Sequence, residues 1–167
     1  MKSTSHFFSQ LRRALWTPLV AVCLALCSQA ASAQVCTTTG VAPVFASYQG
    51  SGTGSNSTGS VSVSCVVPGL LGLSVFYTVR LGLSSQAQGT QRRMGLGAAY
   101  LDYNFFCDSG HSRVWADGGG TTCVATGGQA GLLGTLLTVY PVYGRIPGGQ
   151  YVAPGTYLDT VAIEVLY

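Results

Sequence analysis

Over residues 60–65 a valine or cysteine fills every odd position (Val61, Val63, Cys65) and a serine every even one (Ser60, Ser62, Ser64). A two-residue period sends one set to a core and the other to water, as in a strand half-buried in a sheet. The same period recurs. Tyr77, Val79, Leu81 and Leu83 share one parity, with Thr78 and Arg80 on the other. Leu101, Tyr103, Phe105 and Cys107 share a face opposite Asp102 and Asn104. Near the end Tyr157, Val161, Ile163, Val165 and Tyr167 alternate with positions that include Glu164. Residues 136–143 are strand-like too, but Pro141 blurs their parity and marks an edge or bulged strand; the inward face stays unassigned. No helical period of useful length competes. The 23 glycines all follow residue 33, well above the ~7% of an average protein, and supply turns between short strands. The class is all-β.

Residues 1–33 stand outside that pattern. Lys2, Arg12 and Arg13 form a positive start, 14–27 is an apolar run broken by Thr17 and Pro18, and Ala31-Ser32-Ala33 is a small-x-small cleavage site. These are the marks of a secretory signal peptide. The run is shorter than the ~20 residues that span a bilayer. Val22 and Leu26, ahead of Cys23 and Cys27, are not the small residues a lipoprotein signal needs. Cleavage before Gln34 leaves 34–167 as one domain with no membrane insertion.

The chain's charge of +3 belongs to the part removed. Residues 34–167 carry Arg80, Arg92, Arg93, Arg113 and Arg145 against Asp102, Asp108, Asp117, Asp159 and Glu164, with no lysine. A neutral domain of this kind offers no basic face for nucleic acid. The four remaining cysteines, Cys36, Cys65, Cys107 and Cys123, read as two disulfides in an oxidising compartment, with three pairings open. Closeness in sequence favours Cys107 with Cys123.

Candidate chemistry is sparse. His111, with Cys107, Asp108, Asp117 and Cys123 nearby, fits no closed zinc spacing and reads as a loop histidine beside a disulfide. It is also the one histidine after residue 33, and no serine sits in an elbow motif, so a nucleophile–base–acid set is not formed. Asp117 and Asp159 are turn or strand-edge residues rather than a glycosidase pair. Arg92 and Arg93 invite comparison with a phosphate or acidic-glycan site, but read more simply as turn-flanking residues paired with Asp102 or the chain terminus. Trp115, Tyr140, Tyr143 and Tyr151 could stack on sugars if exposed, though sandwich aromatics are more often core. Asn56-Ser57-Thr58 matches a glycosylation sequon within 49–59, which reads as a flexible hairpin connection. The expectation is no enzyme and no cofactor or metal.

The wording of the chain adds a family. YGRIP (143–147), GGQ (148–150), PGTY (154–157), DTV (159–161) and the final alternating strand resemble the C-terminal half of the spore coat protein U domain. So do Phe45-Ala46-Ser47-Tyr48 (with alanine where glycine is usual), Tyr77-Thr78-Val79, Arg92-Arg93-Met94-Gly95, Leu101-x-Tyr103-Asn104 and Trp115-Ala116-Asp117-Gly118. Their order and spacing cover essentially all of 36–167. The resemblance implies a Cys36–Cys65 bridge and a subunit of an archaic chaperone–usher pilus, built as an immunoglobulin-like sandwich that lacks its last strand. The partners it implies are a periplasmic pilus chaperone, an outer-membrane usher and a neighbouring pilus subunit, with passage through the periplasm to the cell surface.

Parity gives about six strands, starting near Val41, Val61, Tyr77, Leu101, Leu136 and Tyr157, where an immunoglobulin-type sandwich needs seven. An uncovered core and an unpaired edge invite a strand from another chain. The expected groove residues are Val161, Ile163 and Val165, over a floor of Val61, Val63, Val79 and Leu81. A donor strand needs roughly 8 to 12 alternating residues, and only Gln34 and Val35 precede Cys36 after cleavage. The expectation is therefore a subunit that accepts a strand without giving one, at a fibre tip or other terminal position. The competing expectation is a self-contained secreted sandwich that binds glycan or coats a cell or spore surface.

Overall fold

The computed structural model describes residues 35–50, 52–67, 73–132 and 134–167. The signal segment lies outside them. Eight strands form among the described residues: β1 (Val35–Val41), β2 (Gly54–Val67), β3 (Leu73–Leu81), β4 (Arg92–Leu96), β5 (Ala99–Phe106), β6 (Ala125–Leu132), β7 (Gly134–Pro147) and β8 (Ile163–Leu166). They make two antiparallel sheets, ordered β1-β2-β7-β5-β4 and β6-β3-β8. Val61, Val63, Cys65 and Val142 of the first sheet meet Val75, Tyr77, Val79 and Leu81 of the second in one buried cluster. This is an immunoglobulin-like sandwich, as expected.

The β2–β7 pair is the long axis, in register from Gly54 opposite Pro147 to Val67 opposite Gly134. It settles the unassigned face of β7. Val142, Gly144 and Ile146 are buried, Leu136, Thr138 and Tyr140 half-buried, and Leu137 and Val139 exposed. Pro141 sits opposite Ser60 without a bulge. β5 pairs with β7 only from Tyr143 to Arg145, so at Pro141 the strand has one paired neighbour, and a missing N–H is tolerated there.

Other sequence expectations shift. There are eight strands rather than six, because the Arg92-Arg93 and glycine-rich 125–132 stretches form ladders. The first strand ends rather than starts at Val41, and residues 54–59 belong to β2, not to a flexible connection. A Cβ on Gly59 would collide with Val41 and Pro43, so glycine is what lets β1 cross so close. Leu83 lies past the end of β3 and is 41% exposed, and Tyr167 lies past β8 at 63%. Asn104 is buried instead of solvent-facing: its Oδ1 accepts from the Arg92 N–H at 3.2 Å and its Nδ2 donates to Gln91 at 3.3 Å.

Arg92 is the largest departure. It follows the Gln88–Gln91 hairpin turn, as expected, but its exposure is 0%. From β4, in the first sheet, its Nε and Nη2 reach the Gly82 carbonyl, and Nη2 also reaches the Leu81 carbonyl at the end of β3 and the Trp115 carbonyl, at 2.7–3.0 Å. The guanidinium lies 5.5 Å from the Phe105 ring centroid. Arg93, on the other face, donates to the Gln86 carbonyl at 2.7 Å and lies over Tyr100. Removing the Arg92 side chain orphans three carbonyls and opens a hole, whereas removing that of the half-buried Arg93 frees only the Gln86 carbonyl. Urea unfolding should therefore show Arg92→Ala losing about 3 kcal/mol or more, and Arg93→Ala about 1 kcal/mol or less.

Candidate functional site

Both disulfides hold the framework of the site. Cys36 is bonded to Cys65 directly across the β1–β2 register, and Cys107 to Cys123. The first ties β1, an edge strand, to the long ladder. The second holds the 107–123 loop, whose Trp115 is buried and donates its indole N–H to the Val79 carbonyl at 3.0 Å. Trp115 is thus core and offers no stacking face. Tyr140 meets it edge-on and lies 3.0 Å from the Thr126 carbonyl; Tyr143 is half-buried, and Tyr151 stands out at 85% exposure. His111 sits in the left-handed region (φ 54°), edge-on to Phe106, in a turn whose Asp108 carboxylate accepts from the N–H groups of Ser112 and Arg113. Those bonds hold the Asp108 carboxyl below its ordinary range. Among the described residues no three His, Cys, Asp or Glu side chains gather as a metal site.

The opposite side of the sandwich is open. β1 and β8 are edge strands of different sheets, and each has a partner on one side only. They approach each other at Gly40, where a Cβ would come within 2.8 Å of Ile163 Cδ1. Beyond that point residues 42–49 and 156–162 continue the two edges outside any named strand. Between them lies a cleft of about 720 Å³. One wall is 40–48, and the other is 155–159 with Val161 and Ile163. The floor is core itself: Val61, Leu81, Met94, Leu101, Phe105, Val142 and Ile146. Val41, Val44 and Leu158 stand exposed along the walls.

Local chemistry explains why the walls take this course. Phe45 packs where Gly144 leaves room, since a Cβ there would meet its ring at 2.8 Å. The Tyr48 hydroxyl donates to the Pro147 carbonyl at 2.8 Å and accepts from the Gln150 N–H at 3.0 Å. Gln150 then does what β7 cannot. Continuing the β5–β7 register puts Pro147, which has no N–H, opposite Asp102. The Gln150 amide accepts from the Asp102 N–H at 2.7 Å and donates to its carbonyl at 2.9 Å. On the far wall, Gly82 N–H donates to the Ala162 carbonyl at 2.8 Å, and Gly95 and Leu158 exchange both bonds.

Of the sequence-derived groove residues, Val61, Leu81, Val161 and Ile163 line the cleft. Val63 and Val79 are fully buried in the adjoining core, and Val165 packs against it. The parity of the ending holds from 157 to 165, where odd positions are half-buried and the residues between them exposed, and fails at Tyr167. Met94, Leu101, Tyr103 and the 42–48 wall were missed. Leu101 and Tyr103 had the right parity but no indication of which layer they faced.

Tyr103 and Asp159 form the polar part of the lining. The Tyr103 hydroxyl donates to Asp159 Oδ2 at 2.5 Å. Burial first, then this bond, push the Tyr103 pKa far above its ordinary 10.0. Burial and the contact with Tyr77 likewise raise that of Tyr140. A tyrosine with a raised folded-state pKa leaves stability unaffected below its unfolded pKa and lowers it above, because only the unfolded chain then releases the proton. Unfolding free energy should thus fall from about pH 10 upward. Tyr103→Phe, though less stable at pH 7, should fall less steeply. Urea unfolding at stepped pH checks this; equal slopes would contradict it.

The spore coat protein U domain model matches residues 22–164. Protein U of Myxococcus xanthus is 36% identical over 116 residues, covering 66% of this chain and 59% of that protein. Among solved structures, the CsuC–CsuE chaperone–tip adhesion subunit pre-assembly complex, from the archaic chaperone–usher Csu pili of Acinetobacter baumannii, matches with a TM-score of 0.50 at 20% identity. That match covers 81% of this chain and 40% of the other. The chain thus spans less than two thirds of either relative.

Proposed function

This chain belongs to the spore coat protein U domain family, and on that premise we propose that it is a secreted structural subunit of a cell-surface fibre or coat, assembled by the chaperone–usher route and completed by a strand from another chain. One observation carries the reading: a cleft floored by core side chains lies between two edges, β1 and β8, that each lack a partner on the cleft side. A cleft lined by core side chains between two strand edges without partners is where an added strand would dock. The proposed contacts are Val161, Ile163 and Val165 along one wall, and Val61 and Leu81 on the floor, with Val63 and Val79 packed beside them. The partners are a periplasmic chaperone during export, an outer-membrane usher and a neighbouring subunit. No chemical step is assigned to it.

The role is that of acceptor. Val35 to Val41 are all paired with β2, and Cys36 is bonded to it, so these residues are committed to their own sheet and are not a free donor segment. With residues 1–33 removed on export, as proposed, the position is terminal or at a tip, and the subunit mixed with chaperone and usher alone should give no homopolymer.

The carrying observation is tested by co-expression with a candidate chaperone and co-purification. Ile163→Asp should abolish capture, because its side chain faces the cleft and a buried, unpaired carboxylate is costly. Glu164→Gln, on the exposed face, should be captured as the parent is. Equal capture of the two variants would remove the cleft as the docking site.

A further inference from the structure

The inward residues of the C-terminal wall run Tyr157, Asp159, Val161, Ile163, Val165. Four are apolar or aromatic and one is a carboxylate. In a strand-lined groove that substitution is costly unless it has a use. Asp159 Oδ2 accepts from the Tyr103 hydroxyl and Oδ1 from the Thr160 N–H at 2.7 Å. A carboxylate has about four acceptor positions, so about half of its capacity stays open. Asp159 and Tyr103 both line the cleft, with Val161 and Leu81 among its other walls. Across the β4–β5 register from Tyr103 lies Arg92, whose buried Nη1 has no hydrogen-bond partner. The neighbourhood is polar, short of partners and set into apolar surroundings.

An occupant that fills the cleft expels the water now able to serve Asp159. An inward series made only of aliphatic side chains would bury open acceptor positions against methyl groups, at a desolvation cost. A hydroxyl or amide at the facing position removes that cost, and an acidic side chain there adds repulsion. Resting on the strand-accepting reading, we propose that Asp159 and Tyr103 form a selective subsite of the cleft. Its ligand is a hydrogen-bond-donating side chain, hydroxyl or amide, carried at one inward position of an otherwise apolar, alternating partner strand. The cleft therefore discriminates among donor strands by chemistry as well as by size, in the manner of specificity set by an unpaired polar group.

Three synthetic peptides of about 13 residues, long enough to span such a groove, test this. Each has serine outward and valine inward, with the central inward residue Val, Thr or Asp. Valine and threonine match in shape, so a difference reports the hydroxyl. Fluorescence polarisation with the disulfide-bonded mature domain should give the Thr peptide about tenfold tighter binding than the Val peptide, with the Asp peptide weakest. In Asp159→Leu the order of Thr and Val should reverse. If Asp159→Leu does not fold, the ratio in the parent protein decides alone. A Thr-to-Val preference of one or less, or a preference unchanged in a folded Asp159→Leu, overturns the subsite while leaving strand acceptance intact. Absence of binding by all three peptides overturns the strand-accepting reading and the subsite with it.

Discussion

The fourteen-residue β2–β7 ladder is the interaction on which the rest of the molecule hangs. β1 pairs with one side of it and β5 with the other, and β4 is reached only through β5. Its inward residues feed both parts of the core: Val61, Val63, Cys65 and Val142 in one cluster, and Ile146 in the other with Met94, Leu101 and Tyr103. A ladder this long fixes register firmly, since a one-residue slip would send every inward valine to solvent. The second sheet has only three strands and depends on facing the first. At one side the layers are joined by Tyr140, which packs on Trp115 and reaches β6 at Thr126. At the other side β1 and β8 converge at Gly40 and Ile163, and then the layers part.

Arg92 ties the two sheets together at the end of β3. Its guanidinium crosses from β4 to the backbone where β3 ends, satisfying carbonyls that have run out of ladder. Burial lowers its pKa, and Tyr103 and Asp159 act against that fall. An arginine remains charged in this setting, because its ordinary pKa lies so high. The arginine that stabilises the layer contact lies across the β4–β5 register from Tyr103, which lines the cleft. If Tyr103 and Asp159 also select the partner strand, as proposed, changes at either will affect stability and partner choice together.

Much of this was legible from two-residue periodicity. The faces of 60–65, 77–81 and 101–105 and the parity of 157–165 are set by side-chain alternation, which survives even where 157–162 is not a paired strand. What periodicity could not carry was layer assignment, because Leu101 and Val61 read alike though they feed different clusters. It also failed where polar residues point inward. Arg92 and Met94 share a parity, the signal that could have placed Arg92 in a strand, but two adjacent arginines read as a solvated turn. Asn104 misled in the same way, since its burial depends on Gln91 and β4, which lie outside its own strand. The glycine-rich β6 carried no alternation at all: Gly127 and Gly128 are there because Tyr77, Tyr140 and Phe76 occupy the space a side chain would need.

A sandwich that awaits a strand, as proposed, has an uneven distribution of stability, and amide hydrogen exchange reads it residue by residue. The decisive measurement is exchange on the mature domain alone and bound to a strand-donating chaperone. The account predicts slow exchange in β2, β7 and β3 in both states. It predicts fast exchange along 42–48 and 159–161, which lie outside the ladders, in the free domain, slowed at least about a hundredfold on complex formation. Protection of 42–48 and 159–161 in the free domain equal to that of β2 and β7, unchanged by the partner, would contradict it: the sandwich would then be complete without another chain.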